Sequence, residues 1–386
     1  MLAPGDRIWK IRPILNALCE KFRLFFRPFQ NVCIDESLLL FRGRVVFRQY
    51  IPSKRARFGI KFFVICDCKT GYCLDMIVYT GTDVDVPKTD LGFSGSVVKK
   101  LMEKYFGGNH MLYTDNYYTS PALSQYLLEH ETGSCGTVRI NRKNYPKFHG
   151  AQSKGTVRLQ SHEKMLAIRW MDNKPVHMLS TIHTGSLSDT SKIDRATNEP
   201  IQKPDAVQDY NINMRLVDKS DMQIGEIECV RKTVKWYKKV FLHLLDICML
   251  NAYNIYRVHR KNDSTRATSL REFSHRVIAQ ILAIYGSPKD KSFLSRTPTP
   301  TPLQVPDSPV GGEPIRLSNA DGFELHKMEE NPGRKRRRCV VCTVLQKGQV
   351  RSMYQCRRCK VTLCSYSCFY IYHTDRNLPF EEEEIE

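Results

Sequence analysis

NVCIDESLLLFRGR, residues 31–44, decides the fold. Its valine, cysteine, isoleucine and leucines describe a buried strand, yet Asp35 and Glu36 interrupt it and Arg42 and Arg44 follow at once. A carboxylate inside such a strand is costly unless a partner or a metal ion neutralises it. The stretch therefore implies that something holds Asp35.

Three segments, VCIDESLLLF (32–41), KFFVICD (61–67) and YCLDMIVYTG (72–81), are rich in β-branched and aromatic residues between turn signals and read as strands. VVKKLMEKYF (97–106) reads as a helix, HMLYTD (110–115) as a fourth strand ending at Asp115, and SCGTVRI (134–140) as a fifth. Between the last two, SPALSQYLLEHE (120–131) is a helix with Ser120 as N-cap and Pro121 at its first position. A hairpin run followed by alternating units predicts a mixed α/β sheet with helices on its faces.

Upstream, residues 7–24 show helical spacing with Pro13 as a kink, giving a helical lead-in over 1–30 before a core that begins at 31 and runs to 140. Residues 141–206 lack a helical period, and TVRLQ, MLAIRWM and VHMLSTIH alternate, which predicts a β-rich insertion. Closing helices are expected over 207–287, including a long amphipathic one from about Arg231 to Arg257. A linker rich in Pro, Ser, Thr and Gly, expected to be disordered, occupies 288–333, a basic segment and cysteine module 334–377, and an acidic tail 378–386.

The 386 residues carry a net charge of +19, which points to a polyanionic partner, nucleic acid ahead of a membrane surface. No apolar run approaches the roughly 20 residues that span a bilayer, and the N-terminus lacks the apolar core of a secretory signal, so a reducing compartment is expected. Arg42, Arg44, Arg48, Lys54, Arg55, Arg57 and Lys61 surround the first hairpin, with Phe47, Tyr50 and Phe58 interleaved. Guanidinium groups beside aromatics suit phosphate contacts and base stacking; the plainer reading is a solvated basic face. No small-molecule substrate is indicated.

If the first and fourth strands are neighbours, Asp35 and Asp115 meet at one edge of the sheet. Asp218 and Asp221, three apart in NINMRLVDKSDMQ, share a helix face with Met214 and Val217. Carboxylates converging in this way repel unless cations lie between them, and two Mg²⁺ ions (or Mn²⁺) about 4 Å apart suit such oxygen donors and phosphodiester chemistry. Spacing alone does not single these acids out, because 40 acidic residues offer many triplets.

Of fourteen cysteines, six crowd into 339–368. Cys339, Cys342, Cys356, Cys359, Cys364, Cys368 and His373 form paired knuckles of the kind that bind structural Zn²⁺, and so small a piece needs the metal to fold. Seven ligands leave the number of ions and their partition open. Just before them, RKRRR (334–338) is a nuclear localisation signal or a phosphate-contacting arm, and either use places the chain at DNA, in the nucleus.

DRIWKIRP, NVCIDESLLLFRGR, QYIPSKRARFGIK, MLYTDNYYTS and VDKSDMQ resemble, in this order, the transposase domain of the piggyBac family, from residue 6 to about residue 260. The cysteine module is similar to that family's C-terminal zinc domain. The resemblance implies an RNase H-like core interrupted by a β-rich insertion, with Asp35, Asp115 and Asp218 at the catalytic positions and Asp221 as a nearby fourth acid. It further implies metal-dependent nicking of double-stranded DNA at transposon ends, attack by the freed 3′-hydroxyl to form hairpins, and insertion at TTAA targets, with a homodimer as one expected assembly. Arg215 and Leu216 stand where the family commonly has a Gly pair, and only 34 residues precede Asp35, which suggests a fragment, a truncated isoform or a domesticated remnant. Two functions compete: a DDD-type strand transferase, and a domesticated, catalytically silent DNA-binding or chromatin-associated protein. A zinc-dependent protein-interaction adaptor ranks behind both.

Overall fold

The computed structural model describes residues 5–52, 57–81, 84–193, 198–229, 233–260, 268–286, 328–345, 350–357, 359–364 and 366–374. The chain divides into two units, Met1–Pro300 and Thr301–Glu386.

In the first unit, the quoted stretch forms β1 (Asn31–Leu40). It pairs antiparallel with β3 (Phe58–Asp67), with Asp35 opposite Val64, and parallel with β5 (Met111–Thr114), with Ile34 opposite Thr114. β5 pairs parallel with β6 (Gly133–Thr137). On the other side of β3 lie β2 (Gln49–Tyr50) and β4 (Cys73–Val78). β1 and β3 are buried on both faces, as strands covered by helices on both sides must be.

The insertion contributes β7 (Val157–His162), β8 (Met165–Met171) and β9 (Pro175–Ser180). Its alternation was legible, but these strands do not form a body of their own. β9 pairs with β6, and the sheet continues through β8 to β7, so the nine strands form one sheet. β6 ends at Thr137, earlier than expected, although Val138 still donates to the His177 carbonyl at 2.9 Å. β10 (Leu187–Ile193) and β11 (Pro200–Pro204) make a separate two-stranded ribbon.

Helices α2 (Gly92–Met102) and α3 (Pro121–Glu129) connect the parallel strands. Ser120 caps α3 as its sequence requires, accepting from the Leu123 amide at 3.2 Å. α1 (Arg12–Phe25) is part of the core rather than an appendage: Ile8, Ile11, Leu15, Cys19 and Phe22 are buried in the main apolar cluster, and the helix packs on β4. Asp6 fixes its start, accepting from the Ile8 amide at 3.0 Å and from Arg12 Nη2 at 2.7 Å.

The expected helix through Tyr210, Met214 and Val217 is two helices, α4 (Asp205–Asn213) and α5 (Leu216–Ile227). α6 (Trp236–His259) begins after an extended Lys235, later than the pattern suggested, while Arg231 lies outside the described residues. Asn251 on α6 is buried and spans one residue of β4, accepting from the Cys73 amide at 2.8 Å and donating to its carbonyl at 2.9 Å. α7 (Leu270–Tyr285) closes the unit. Among the described residues no helix is long and apolar enough to cross a membrane.

The second unit pairs β12 (Met328–Glu330) with β15 (Tyr354–Cys356), and β13 (Arg337–Arg338) with β14 (Arg351–Ser352). Helices α8 (Val340–Val344) and α9 (Tyr366–Thr374) carry several of the cysteines. The range expected as linker therefore ends too late, because Met328–Glu330 is a paired strand. Buried Asn331 secures the following turn, donating to the carbonyls of Lys335 at 3.0 Å and Ser352 at 3.1 Å. Residues 288–327 lie outside the described residues.

Candidate functional site

The parallel pairing of β1 and β5 decides where the acids lie. Asp35 and Asp115 each follow the last residues of the β1–β5 pairing, Ile34 and Thr114, so they take neighbouring register positions where β5 ends, while β1 runs on to Leu40. Asp221 on α5 reaches the same strand as Asp35. Ser37, two residues beyond Asp35 and so on the same side of the strand, donates to Asp221 Oδ1 at 2.6 Å. Asp218 lies one turn earlier on α5, exposed, and lines a groove together with Ser37 and Asp221.

Electrostatics tie the acids together. Burial first, and then the charges of Glu36, Asp35 and Asp115, push the phenol of the fully buried Tyr118 well above the ordinary range. Tyr210 on α4 is raised in the same way by burial and by Asp115 and Asp35. Asp115 is itself raised above the usual carboxylate range, first by burial and then by the charge of Glu36, against the Tyr117 amide that donates to it at 2.9 Å and against Arg139. A carboxylate in that condition is one a cation stabilises. Among the described residues, no three core carboxylates lie within 4.8 Å of one another.

Arg215 and Leu216 do not hinder the approach of α5. Arg215 has an ordinary helical backbone (φ −73°, ψ 0°), so the position does not require glycine. The helix packs against the β3–β4 turn, where Gly71 is favoured by its backbone at φ +78° rather than by space, since an added Cβ would meet Ser220 Oγ and Leu216 at ordinary contact distances of 3.6 and 3.7 Å. Ser220 Oγ donates to the Gly71 carbonyl at 3.3 Å, holding the helix against the turn.

Of the basic residues, Arg42, Arg48 and Arg57 line the same groove as Asp218 and Asp221, and Arg44 is exposed. Lys54 and Arg55 lie outside the described residues. Lys61 is turned to an acid: its ammonium is 3.7 Å from Glu36 and sits over the rings of Phe63 and Tyr117. Arg139 and Arg142, which the sequence reading did not single out, grip the loop after β5. Arg139 Nε donates to Asn116 Oδ1 at 3.2 Å, and Arg142 Nη2 to the Asn116 carbonyl at 3.1 Å and to that of Tyr117.

In the second unit the seven donors form two sets, Cys339, Cys342, Cys364 and Cys368 in one and Cys356, Cys359 and His373 in the other, each within 4.8 Å. The sets interleave along the chain. Cys342 Sγ is 3.5 Å from Cys364 Sγ and 3.7 Å from Cys368 Sγ, close to the edge of about 3.8 Å that a tetrahedron with Zn–S of about 2.3 Å requires. His373 Nδ1 faces the Phe369 carbonyl at 2.6 Å, which selects the tautomer with a lone pair on Nε2, 3.5 Å from Cys359 Sγ. Both sets suit a thiophilic metal such as zinc. RKRRR is folded into this unit, with Arg337 and Arg338 paired across from Ser352 and Arg351.

Glu36, Ser37, Tyr118 and Tyr210 were missed because their involvement depends on strand and helix neighbours distant in sequence. Glu36 was the most accessible of them, standing beside Asp35 in the quoted stretch.

A mixed sheet whose parallel strand ends and covering helix carry aspartates defines the class, and the family comparison agrees. Residues 3–253 match the family model described as Transposase IS4, and the chain belongs to the piggyBac transposase family. Human piggyBac transposable element-derived protein 3 is 25% identical over 390 aligned positions, covering 97% of this chain and 60% of that protein. Human piggyBac transposable element-derived protein 2 is 24% identical over 274 positions, covering 67% of this chain and 45% of that one. The chain thus spans about three-fifths of the first relative and less than half of the second. A cryo-EM structure of a piggyBac transposase synaptic complex with hairpin DNA superposes with a TM-score of 0.63 at 23% identity, covering 94% of this chain and 74% of that one, which shows the shared fold.

Proposed function

We propose that the chain is a transposase-derived DNA-binding protein whose first unit carries a DDD-type site for metal-dependent cleavage and transfer of DNA strands. The observation that carries this is that Asp35, midway along β1, and Asp115, just past the end of β5, take neighbouring register positions at the end of the parallel pairing, with Asp221 accepting from Ser37 two residues further along β1. An antiparallel run leading into parallel strands joined by helices supports an RNase H-like reading of the sheet.

Asp35, Asp115, Asp218 and Asp221 supply hard oxygen donors suited to Mg²⁺ or Mn²⁺. Bound there, such ions would supply Lewis-acid stabilisation of a phosphodiester and a nucleophilic water or 3′-hydroxyl. The chain's own residues prepare the place: Ser37 orients Asp221, the Tyr117 amide orients Asp115, and Arg42, Arg48 and Arg57 offer cations to the phosphate backbone along the adjoining groove. Double-stranded DNA at transposon ends is the substrate this reading favours, with TTAA as target, as is a homodimer as the working assembly. Zn²⁺ holds the second unit, and RKRRR directs the chain to the nucleus.

The test is a nicking assay on supercoiled plasmid in Mg²⁺ or Mn²⁺. Nicking by the intact chain and none by Asp115→Asn is the expected result; equal activity in both ends the catalytic reading. The second reading, a domesticated and silent DNA-binding protein, draws on the finding that among the described residues no three core carboxylates lie within 4.8 Å of one another, as the thiol sets do. It predicts DNA binding with no nicking in either protein.

A further inference from the structure

We propose that the groove beside the acids seats one unpaired nucleotide of the DNA strand being processed, its base stacked on Phe58 and its phosphate held by Arg42 and Arg48. The inference rests on the DNA reading above and adds the conformation of the substrate at the site.

The groove encloses about 1570 Å³ between the β1–β3 hairpin and helices α5 and α6. Its wall is of mixed character. Phe58 is 42% exposed, Leu40 45% and Met222 75%, so large apolar side chains stand open among the arginines. The Tyr50 and Phe58 rings lie with centroids 4.7 Å apart and planes tilted by 32°, so Tyr50 packs beside Phe58 at the groove. The Arg48 guanidinium lies 5.4 Å over the Phe58 ring, and its Nη1 donates to the carbonyls of Arg42 at 2.9 Å and Gly43 at 3.2 Å. The cation is thereby fixed at the rim of that ring, where a phosphate attached to a stacked base arrives.

An aromatic platform reads the face of a base. A paired base in a duplex has its faces covered by its neighbours, so only a nucleotide out of the stack can use it. The floor adds a polar group. His243 is 6% exposed, lines the groove, and has a buried Nδ1 with no hydrogen-bond partner. Burial lowers its pKa, so the ring is neutral and carries both a donor and an acceptor, which suits the edge of a base rather than a phosphate. Asp218 and Asp221 line the same groove, so a nucleotide seated there has its phosphodiester beside the proposed cleavage site.

The experiment uses the full chain and two probes of equal length: a single-stranded oligothymidine with one central 2-aminopurine, and a blunt duplex. Thermal unfolding of each variant confirms that it is folded. The single strand is expected to bind with a change in 2-aminopurine emission. Phe58→Leu, which keeps an apolar side chain without the ring, is expected to weaken single-strand binding about tenfold and abolish that change, with duplex binding unaltered. His243→Gln is expected to change the ranking among probes that vary the single base. Equal loss on both probes in Phe58→Leu, or no loss on either, overturns the inference. If the intact chain binds duplex with a steep salt dependence while 2-aminopurine emission does not respond, the seat fails and the DNA reading stands; if neither probe binds, both fail.

Discussion

The two units arrange donor atoms in opposite ways. In the first, Asp35, Asp115 and Asp221 hang on a sheet whose apolar cluster runs from Ile8 to Phe273 and does not include them. In the second, four of the eight buried members of the apolar cluster are themselves candidate metal ligands, Cys339, Cys342, Cys356 and Cys368. The core has a large apolar interior apart from its carboxylates, whereas in the tail Val341, Leu363, Phe369 and Tyr372 are the only other buried members of the described cluster. The candidate oxygen donors thus stand outside the apolar interior of their unit, and the candidate sulfur donors make up half of the buried interior of theirs.

Metal removal breaks this contrast most sharply. Chelation, or Cys364→Ser, is expected to unfold the second unit outright, since structural zinc supplies on the order of 10–16 kcal/mol to such modules. Backbone resonances of residues 328–374 should collapse while the thermal transition of the first unit stays in place. Loss of both together would show that the core also depends on metal.

Next in size, Asp115→Asn is expected to lower strand nicking by about 10³-fold or more, roughly 4 kcal/mol of barrier, and to leave stability unchanged or slightly higher. The amide removes a buried charge that Glu36 opposes. A thermal shift of many degrees downward would mean that Asp115 supports the fold.

A pH profile probes the core's tolerance for buried titratable groups. Burial lowers the pKa of His243 to about 4, opposed by Glu228 and reinforced by Lys239. Because the folded value lies below that of the unfolded chain, near 6.5, the neutral ring's stabilisation is complete above pH 6.5 and is lost as pH falls toward 4. Between pH 7 and 4.5 the loss is about 2–3 kcal/mol. His243→Gln is expected to remove that portion of the acid dependence in denaturant unfolding. Asp246 on the same helix works against it: burial raises its carboxyl to about 6, so its contribution grows as pH falls from 6 toward 3.8. Asp246→Asn alone should steepen the acid loss.

The smallest effect is the salt dependence of duplex binding. Arg57→Gln and Arg42→Gln should each flatten the slope of log K against log salt by about 0.9, with both units still folded. An unchanged slope assigns those arginines to the solvated face that the sequence alone allowed.

Local patterns carried most of the elements. MLAIRWM became β8 over the same residues, Met165–Met171, because alternation is a property of the segment itself. Ser120 before Pro121 marked the start of α3 for the same reason. What the sequence hid was pairing at a distance. Nothing in VHMLSTIH says that it lies beside Cys135, so the β-rich insertion could be read as strands without the sheet that those strands widen. Likewise Cys339 gives no sign that it belongs with Cys364 rather than Cys356. The acids lie between these cases. β1 and β5 could be recognised one at a time, but only their parallel register brings Asp35 to Asp115, and only the break before Leu216 brings α5 onto Ser37.

The interleaving of the two sulfur sets fixes the order in which the second unit can be completed during synthesis. Cys339 and Cys342 must wait for Cys364 and Cys368, and Cys356 and Cys359 must wait for His373. Neither set closes while the chain between them is still inside the ribosome. A premature stop anywhere from residue 343 to residue 363 therefore leaves neither of the two donor sets complete.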